Sequence, residues 1–90
     1  MEETREVVIL NSLGLHARPA AKLSQEALKF KSEITINYKG TEINAKSILD
    51  ILTLAVSKGE VLLLKARGED AREALDHLEN LFRDRFGEEK

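Results

Sequence analysis

The sequence predicts an α/β fold of the α+β type: an open-faced sandwich in which three helices cover one face of a four-stranded antiparallel sheet. Three observations carry this expectation. Apolar or alternating runs of strand length recur near residues 7–10, 34–38 and 61–66, with a return strand after Lys39-Gly40. Stretches of helical period follow His16, Ser47 and Asp70, each opened by a residue suited to a helix start. Breaks at Gly14, Gly40, Gly59 and Gly68 separate the elements, which gives the order β-α-β-β-α-β-α.

Residues 7–10 form the first strand, and Asn11 to Gly14 break it before the first helix. Pro19 fits the first turn of that helix, because its missing N–H would have no intrahelical partner there. Over residues 17–29 Arg18, Lys22, Gln25 and Lys29 fall on one stripe, opposite Ala20, Leu23, Ala27 and Phe30. Ile34, Ile36 and Tyr38 alternate with polar residues, and residues 41–45 return as the second arm of a hairpin. Ser47 is a good N-cap for a helix over residues 48–57, closed by Gly59. That helix is apolar around nearly its whole circumference, so it is either enclosed in the core or leaves aliphatic surface for a partner. Residues 61–66 read as an interior strand ended by Gly68. Asp70 with Glu73 makes a capping-box-like start for the last helix. Its core face is Ala71, Ala74, Leu75, Leu78, Leu81 and Phe82, with Phe86 closing the far end and His77 solvated beside Glu73.

Ninety residues make a single small domain, expected over residues 1–90, with no room for a deep catalytic cavity. Cysteine is absent, which excludes disulfides and thiolate metal sites. No long apolar run suggests a membrane span, so a cytoplasmic location without membrane insertion is expected. A net charge of −2 lacks the basic face that nucleic-acid binding requires, and four aromatics (Phe30, Tyr38, Phe82, Phe86) offer no base-stacking platform. The charged ends, Glu2-Glu3 and Glu88-Glu89-Lys90, read as frayed termini.

The chemistry concentrates at Gly14-Leu15-His16-Ala17-Arg18-Pro19. An imidazole at a helix entrance meets free backbone N–H groups and the positive end of the helix dipole, and Arg18 adds a planar, permanently charged donor fork. The same groups disfavour the imidazolium, leave a ring nitrogen free to attack phosphorus, and stabilise the negative charge once a phosphoryl group is attached. No nucleotide-binding glycine motif and no carboxylate cluster suited to magnesium accompanies it, so no cofactor is expected and a phosphoryl group would have to arrive from another protein.

The run Gly14-Leu15-His16-Ala17-Arg18-Pro19-Ala20-Ala21 resembles the active-site signature of the histidine-containing phosphocarrier (HPr) family of the bacterial phosphotransferase system. Asn44-Ala45-Lys46-Ser47-Ile48-Leu49-Asp50-Ile51-Leu52 is similar to that family's regulatory serine segment, and the resemblance runs from about Glu6 to about Phe86. It implies a sheet with the first and fourth strands adjacent. It also implies a monomeric carrier, rather than a self-contained catalyst, that accepts a phosphoryl group on His16 from enzyme I. With Arg18 stabilising the group in transit, the carrier passes it to a histidine of an enzyme IIA domain, for example in sugar transport. Ser47 is either an ordinary N-cap or, as the resemblance implies, a regulatory site served by a serine kinase/phosphorylase. Phosphate there would set negative charge beside Ile48 and Leu49 and disfavour an apolar partner. Ala21, Ile48, Leu49 and Leu52 are the expected docking patch for both partners. Asp50 departs from the uncharged residue more usual in the family and would weaken acidic partners. Residues 43–48 and 81–87 also resemble the nitrogen-related branch, which shares the His16–Pro19 signature. Two other readings remain: a regulatory module acting through phospho-Ser47, in which the histidine can be lost, and a small phosphatase, which would need an Arg/Asn oxyanion site and a positioned water.

Overall fold

The chain folds in the order β1 (Glu2–Val8), α1 (Ala17–Ala27), β2 (Glu33–Tyr38), β3 (Thr41–Asn44), α2 (Ile48–Leu52), β4 (Val61–Arg67) and α3 (Ala71–Arg83), with a closing 3-10 turn at Arg85–Gly87. This computed structural model describes all 90 residues. The strands lie in the order β1-β4-β2-β3 and every pair is antiparallel, so the first and fourth strands are neighbours. β4 is therefore interior, as its apolar run predicted. Only one of its faces is covered, however: Leu62, Leu64 and Ala66 are fully buried, while Val61 and Leu63 on the opposite face remain partly exposed. The core fills the space between that covered face and the helices, with Ala20, Leu23 and Ala27 from α1 and Ala71, Ala74, Leu75, Leu78 and Phe82 from α3. Each such leucine or phenylalanine stabilises the fold by about 1.5–3 kcal/mol relative to an exposed side chain.

Several boundaries differ from expectation. β1 begins at Glu2 rather than Val7 and pairs along its full length with β4, from Glu2 opposite Arg67 to Val8 opposite Val61. Its inward positions are partly polar because α3 supplies ionic partners: Arg5 meets Asp76 at 2.7 Å and Glu79 at 2.9 Å, and Glu3 lies 3.7 Å from Arg72. Glu2 and Glu3 are thus sheet residues, not a frayed end. α1 ends two residues early, at Ala27.

The largest change is in α2, which stops at Leu52 instead of running to Ser57. The Thr53 hydroxyl donates to the Asp50 carbonyl at 2.6 Å, a local bond that competes with helix continuation. Beyond it the chain runs on outside any helix, with Leu54 and Val56 buried and Ala55 exposed. The enclosed-helix reading is therefore overturned: Leu49 and Leu52 of α2 are exposed, while Ile51 and, beyond the helix, Leu54 and Val56 are buried.

Asp70 opens α3 without capping it. Its carboxylate faces the start of β2, accepting from the Lys31 and Ser32 N–H groups at 2.9 Å each and from the Ser32 hydroxyl at 2.5 Å. These bonds, the hydroxyl first, hold the Asp70 carboxyl at about 2. His77 is not simply solvated beside Glu73. Its Nε2 meets Glu26 of α1 at 2.5 Å and its ring lies 5.6 Å from that of Phe30. Lys29, then His77, hold the Glu26 carboxyl below its ordinary range.

Candidate functional site

His16 is the N-cap of α1, with extended backbone angles (φ −81°, ψ −171°) and no hydrogen bond from its side chain to the helix. Its carbonyl accepts the Ala20 N–H at 2.9 Å, which closes the first turn. Pro19 has no N–H, so the N–H groups of Ala17 and Arg18 are the two left without an acceptor at the helix entrance. Beside them the Arg18 guanidinium is exposed and takes part in none of the ion pairs. Two backbone donors, a dipole and a free cation thus surround a partly exposed imidazole, a combination suited to a tetrahedral anion.

The loop that presents His16 is anchored from below. Gly14 lies at φ +69°, and a Cβ there would sit 2.2 Å from the Val56 carbonyl oxygen. That same oxygen accepts the Leu15 N–H at 3.1 Å. Only glycine permits this approach and this left-handed geometry together. The segment underneath is held in turn by Glu60, whose carboxylate accepts from the Ser57 N–H and from the Tyr38 hydroxyl, both at 2.6 Å. Those bonds, Ser57 first, keep the Glu60 carboxyl below its ordinary range.

One partner of the histidine has no counterpart in the expected site. His16 Nε2 lies 3.0 Å from Glu88 Oε2 and 3.2 Å from Glu88 Oε1, and Asn11 Nδ2 donates to Glu88 Oε1 at 2.9 Å. Asn11 Nδ2 also donates to the Gly14 carbonyl at 2.6 Å, so a single amide ties the His16 loop to the C-terminal segment. The charged tail is consequently part of the site rather than a frayed end. Nothing local in the sequence marks Glu88, because its contact spans 72 residues. Only the buried Phe86, which turns the chain back at left-handed φ, hints that the tail returns to the body of the protein.

The other predicted residues separate into two groups. Ser47 is the N-cap of α2 and its hydroxyl accepts the Asp50 N–H at 3.2 Å. On the same helix Leu49 is 74 % exposed, Leu52 44 % and Ile48 36 %, while Ile51 between them is fully buried. α1 packs against α2, and Ala21 is half-buried on α1. The segment following α2 bears the carbonyl that holds the His16 loop, so the apolar helix and the histidine share one support. Leu13, in the loop itself, is 76 % exposed and was not singled out by pattern.

Comparison with known proteins identifies the family to which this fold belongs. Residues 3–84 match the family model PTS-HPr, described as "PTS HPr component phosphorylation site". The phosphocarrier protein HPr of Xylella fastidiosa (strain 9a5c) is 46 % identical over 84 residues, covering 93 % of this chain and 94 % of that protein. A crystal structure of HPr from Thermoanaerobacter tengcongensis superposes with a TM-score of 0.93 at 44 % identity, covering 98 % of this chain and 99 % of that one. Crh of Bacillus subtilis, a catabolite-repression protein crystallised as a dimer with a swapped domain, is 43 % identical with a TM-score of 0.75, covering 82 % of this chain and 85 % of that one. The chain belongs to the HPr family of phosphocarrier proteins of the phosphotransferase system.

Proposed function

We propose that His16 is the phosphoryl acceptor, loaded by phospho-enzyme I and unloaded onto a histidine of an enzyme IIA domain. The observation that supports this most is the histidine's position at the entrance of α1, partly exposed, with Nε2 engaged and Nδ1 making no hydrogen bond. Nδ1 is therefore the nitrogen whose lone pair is available to phosphorus. As it attacks, the bond from phosphorus to the donor breaks and its electron pair stays with the donor. The arriving oxygens meet the free N–H groups of Ala17 and Arg18 and the Arg18 guanidinium, which favour negative charge at that point. Transfer onward reverses the step. The chain acts as a carrier and needs no nucleotide of its own.

Ile48, Leu49 and Leu52, with Ala21, form the docking surface for both partners, and phosphorylation of Ser47 at the head of α2 would set a dianion against it. A monomeric protein acting in the cytoplasm fits this role; no helix is long and apolar enough to cross a membrane. The free guanidinium and the unobstructed Nδ1 favour the carrier over a purely regulatory module such as the similarity to Crh would suggest. Incubation with phosphoenolpyruvate and a bacterial enzyme I tests the reading. Acid-labile, base-stable label should appear on the wild type and be absent from His16→Ala, and Arg18→Ala should pass its label to IIA more slowly with an unchanged melting temperature. Label that persists in His16→Ala would refute the assignment.

A further inference from the structure

Glu88 reaches His16 by a route that is held on either side of it. After α3 the chain turns back through Arg85 and Phe86, both at left-handed φ (56° and 55°), an arrangement that bulky residues rarely adopt. It is held by burial of Phe86, whose ring meets Phe82 edge-on at 4.8 Å. Beyond Glu88 the Lys90 carbonyl accepts the Ser12 N–H at 3.0 Å, which closes the tail onto the loop before His16. Between these two anchors the Glu88 carboxylate lies on the imidazole, its side chain only 19 % exposed.

Asn11 strengthens the case. It is fully buried, and its Oδ1 has no hydrogen-bond partner, an unfavourable arrangement in a protein interior. Turning the amide over would bring that oxygen against the Gly14 carbonyl and the Glu88 carboxylate, where only a donor is tolerated. The residue is thus committed to its two donated bonds, and one of them fixes Glu88.

We propose that Glu88 is a positioning residue for His16: its carboxylate keeps the ring proton on Nε2, so that Nδ1 carries the lone pair that meets phosphorus. The proposal rests on the carrier reading above and gives Glu88 a role both before the bond forms and after. When Nδ1 of the neutral ring takes the phosphoryl group, the proton on Nε2 stays and the ring acquires a positive charge, which the carboxylate beside it balances. On delivery the P–Nδ1 bond breaks, the electron pair returns to Nδ1, and the ring leaves as neutral imidazole. Were the Nε2 proton lost meanwhile, the departing group would be an imidazolate anion, a far poorer leaving group. Glu88 thus serves acceptance by fixing the tautomer and delivery by retaining the proton.

The test uses the full-length protein labelled with 15N-histidine, together with phosphoenolpyruvate, enzyme I and a IIA acceptor. With the ring neutral, the wild type should show one tautomer, protonated at Nε2. Glu88→Ala should show a mixture and transfer to IIA about tenfold more slowly, the scale of losing one charge-assisted hydrogen bond. Glu88→Gln, whose amide oxygen still accepts from Nε2, should restore the single tautomer and part of the rate. A single Nε2–H tautomer in Glu88→Ala, equal transfer rates in that variant and the wild type, or a phosphoryl group found on Nε2 would each overturn the proposal while leaving the carrier reading intact. Wild-type label on a residue other than His16 would instead overturn the carrier reading, and the tautomer comparison would still decide whether Glu88 governs the ring.

Discussion

Replacing Gly14 with alanine probes how rigidly the His16 loop is seated. Two penalties combine at this position. The left-handed backbone at φ +69° costs an L-residue about 1–2 kcal/mol. The added Cβ would stand 2.2 Å from the Val56 carbonyl oxygen and 3.1 Å from the Ser57 Cα, and neither is a flexible side chain that can swing aside. The loop must lift, which loses the Leu15 N–H to Val56 bond and the Asn11 bond to the Gly14 carbonyl, each worth about 1 kcal/mol. The expected destabilisation is about 3–4 kcal/mol. For a domain of this size that lowers the melting temperature by about 12–30 °C. Gly59→Ala is the control, because Gly59 has a similar φ of +90° but open space where its Cβ would go. It should lose only the backbone term of about 1–2 kcal/mol. Thermal melts followed by circular dichroism, with phosphoryl acceptance from enzyme I measured in parallel, separate the two. If Gly14→Ala melts no lower than Gly59→Ala and accepts phosphate at the wild-type rate, the loop is not fixed by its contact with Val56 and the argument fails.

Three further substitutions address other parts of the molecule. Leu49→Glu places charge on a side chain that is 74 % exposed, so its effect on stability should be within about 0.5 kcal/mol, whereas transfer from enzyme I and to IIA should both weaken; intact transfer in rapid-quench measurements would move the docking surface elsewhere. Ser47→Asp should lower affinity for enzyme I in titration calorimetry while Ser47→Ala should not, and equal affinities would leave Ser47 as a cap alone. Asp70 has a folded-state carboxyl at about 2 against an ordinary 3.8, so its contribution is complete above the ordinary value and disappears as pH falls from about 3.8 through about 2. Asp70→Asn should therefore flatten the acid limb of the stability profile over that window, and urea titrations with unchanged curvature there would assign the acid sensitivity to other groups.

The parts of this fold that were legible in the sequence are those with a local cause. Ile34 and Ile36 alternate because one face of β2 is buried, and Leu75, Leu78 and Phe82 recur at helical spacing because one face of α3 is. His16, Arg18 and Pro19 stand together within one turn, so the helix entrance they build could be read directly. What escaped was set by partners remote in sequence. β1 shows little apolar alternation before Val7 because Arg5 and Glu3 answer to charges on α3. By pattern Asp70 and His77 serve their own helix, whereas in the fold each bonds to another element. α2 carries an unbroken apolar pattern through Val56, and pattern alone cannot tell a helix from an extended segment that is also buried. Glu88 belongs to the same class: a carboxylate in a charged tail looks solvated until the fold brings it to the imidazole.

The strand order has a consequence for how the protein comes into being. β1 and β2, though made early, share no hydrogen bonds; each pairs with β4, which enters between them from residues 61–67. A nascent chain that has emerged only as far as α2 holds the β2–β3 hairpin and the histidine-bearing helix, but no sheet for them to rest on. The long-range pairings that carry the core must wait for residues 61–67, and the carboxylate on His16 arrives later still. Folding in the cell is accordingly deferred until β4 and α3 have been made, and the contact of Glu88 with His16 forms only after them.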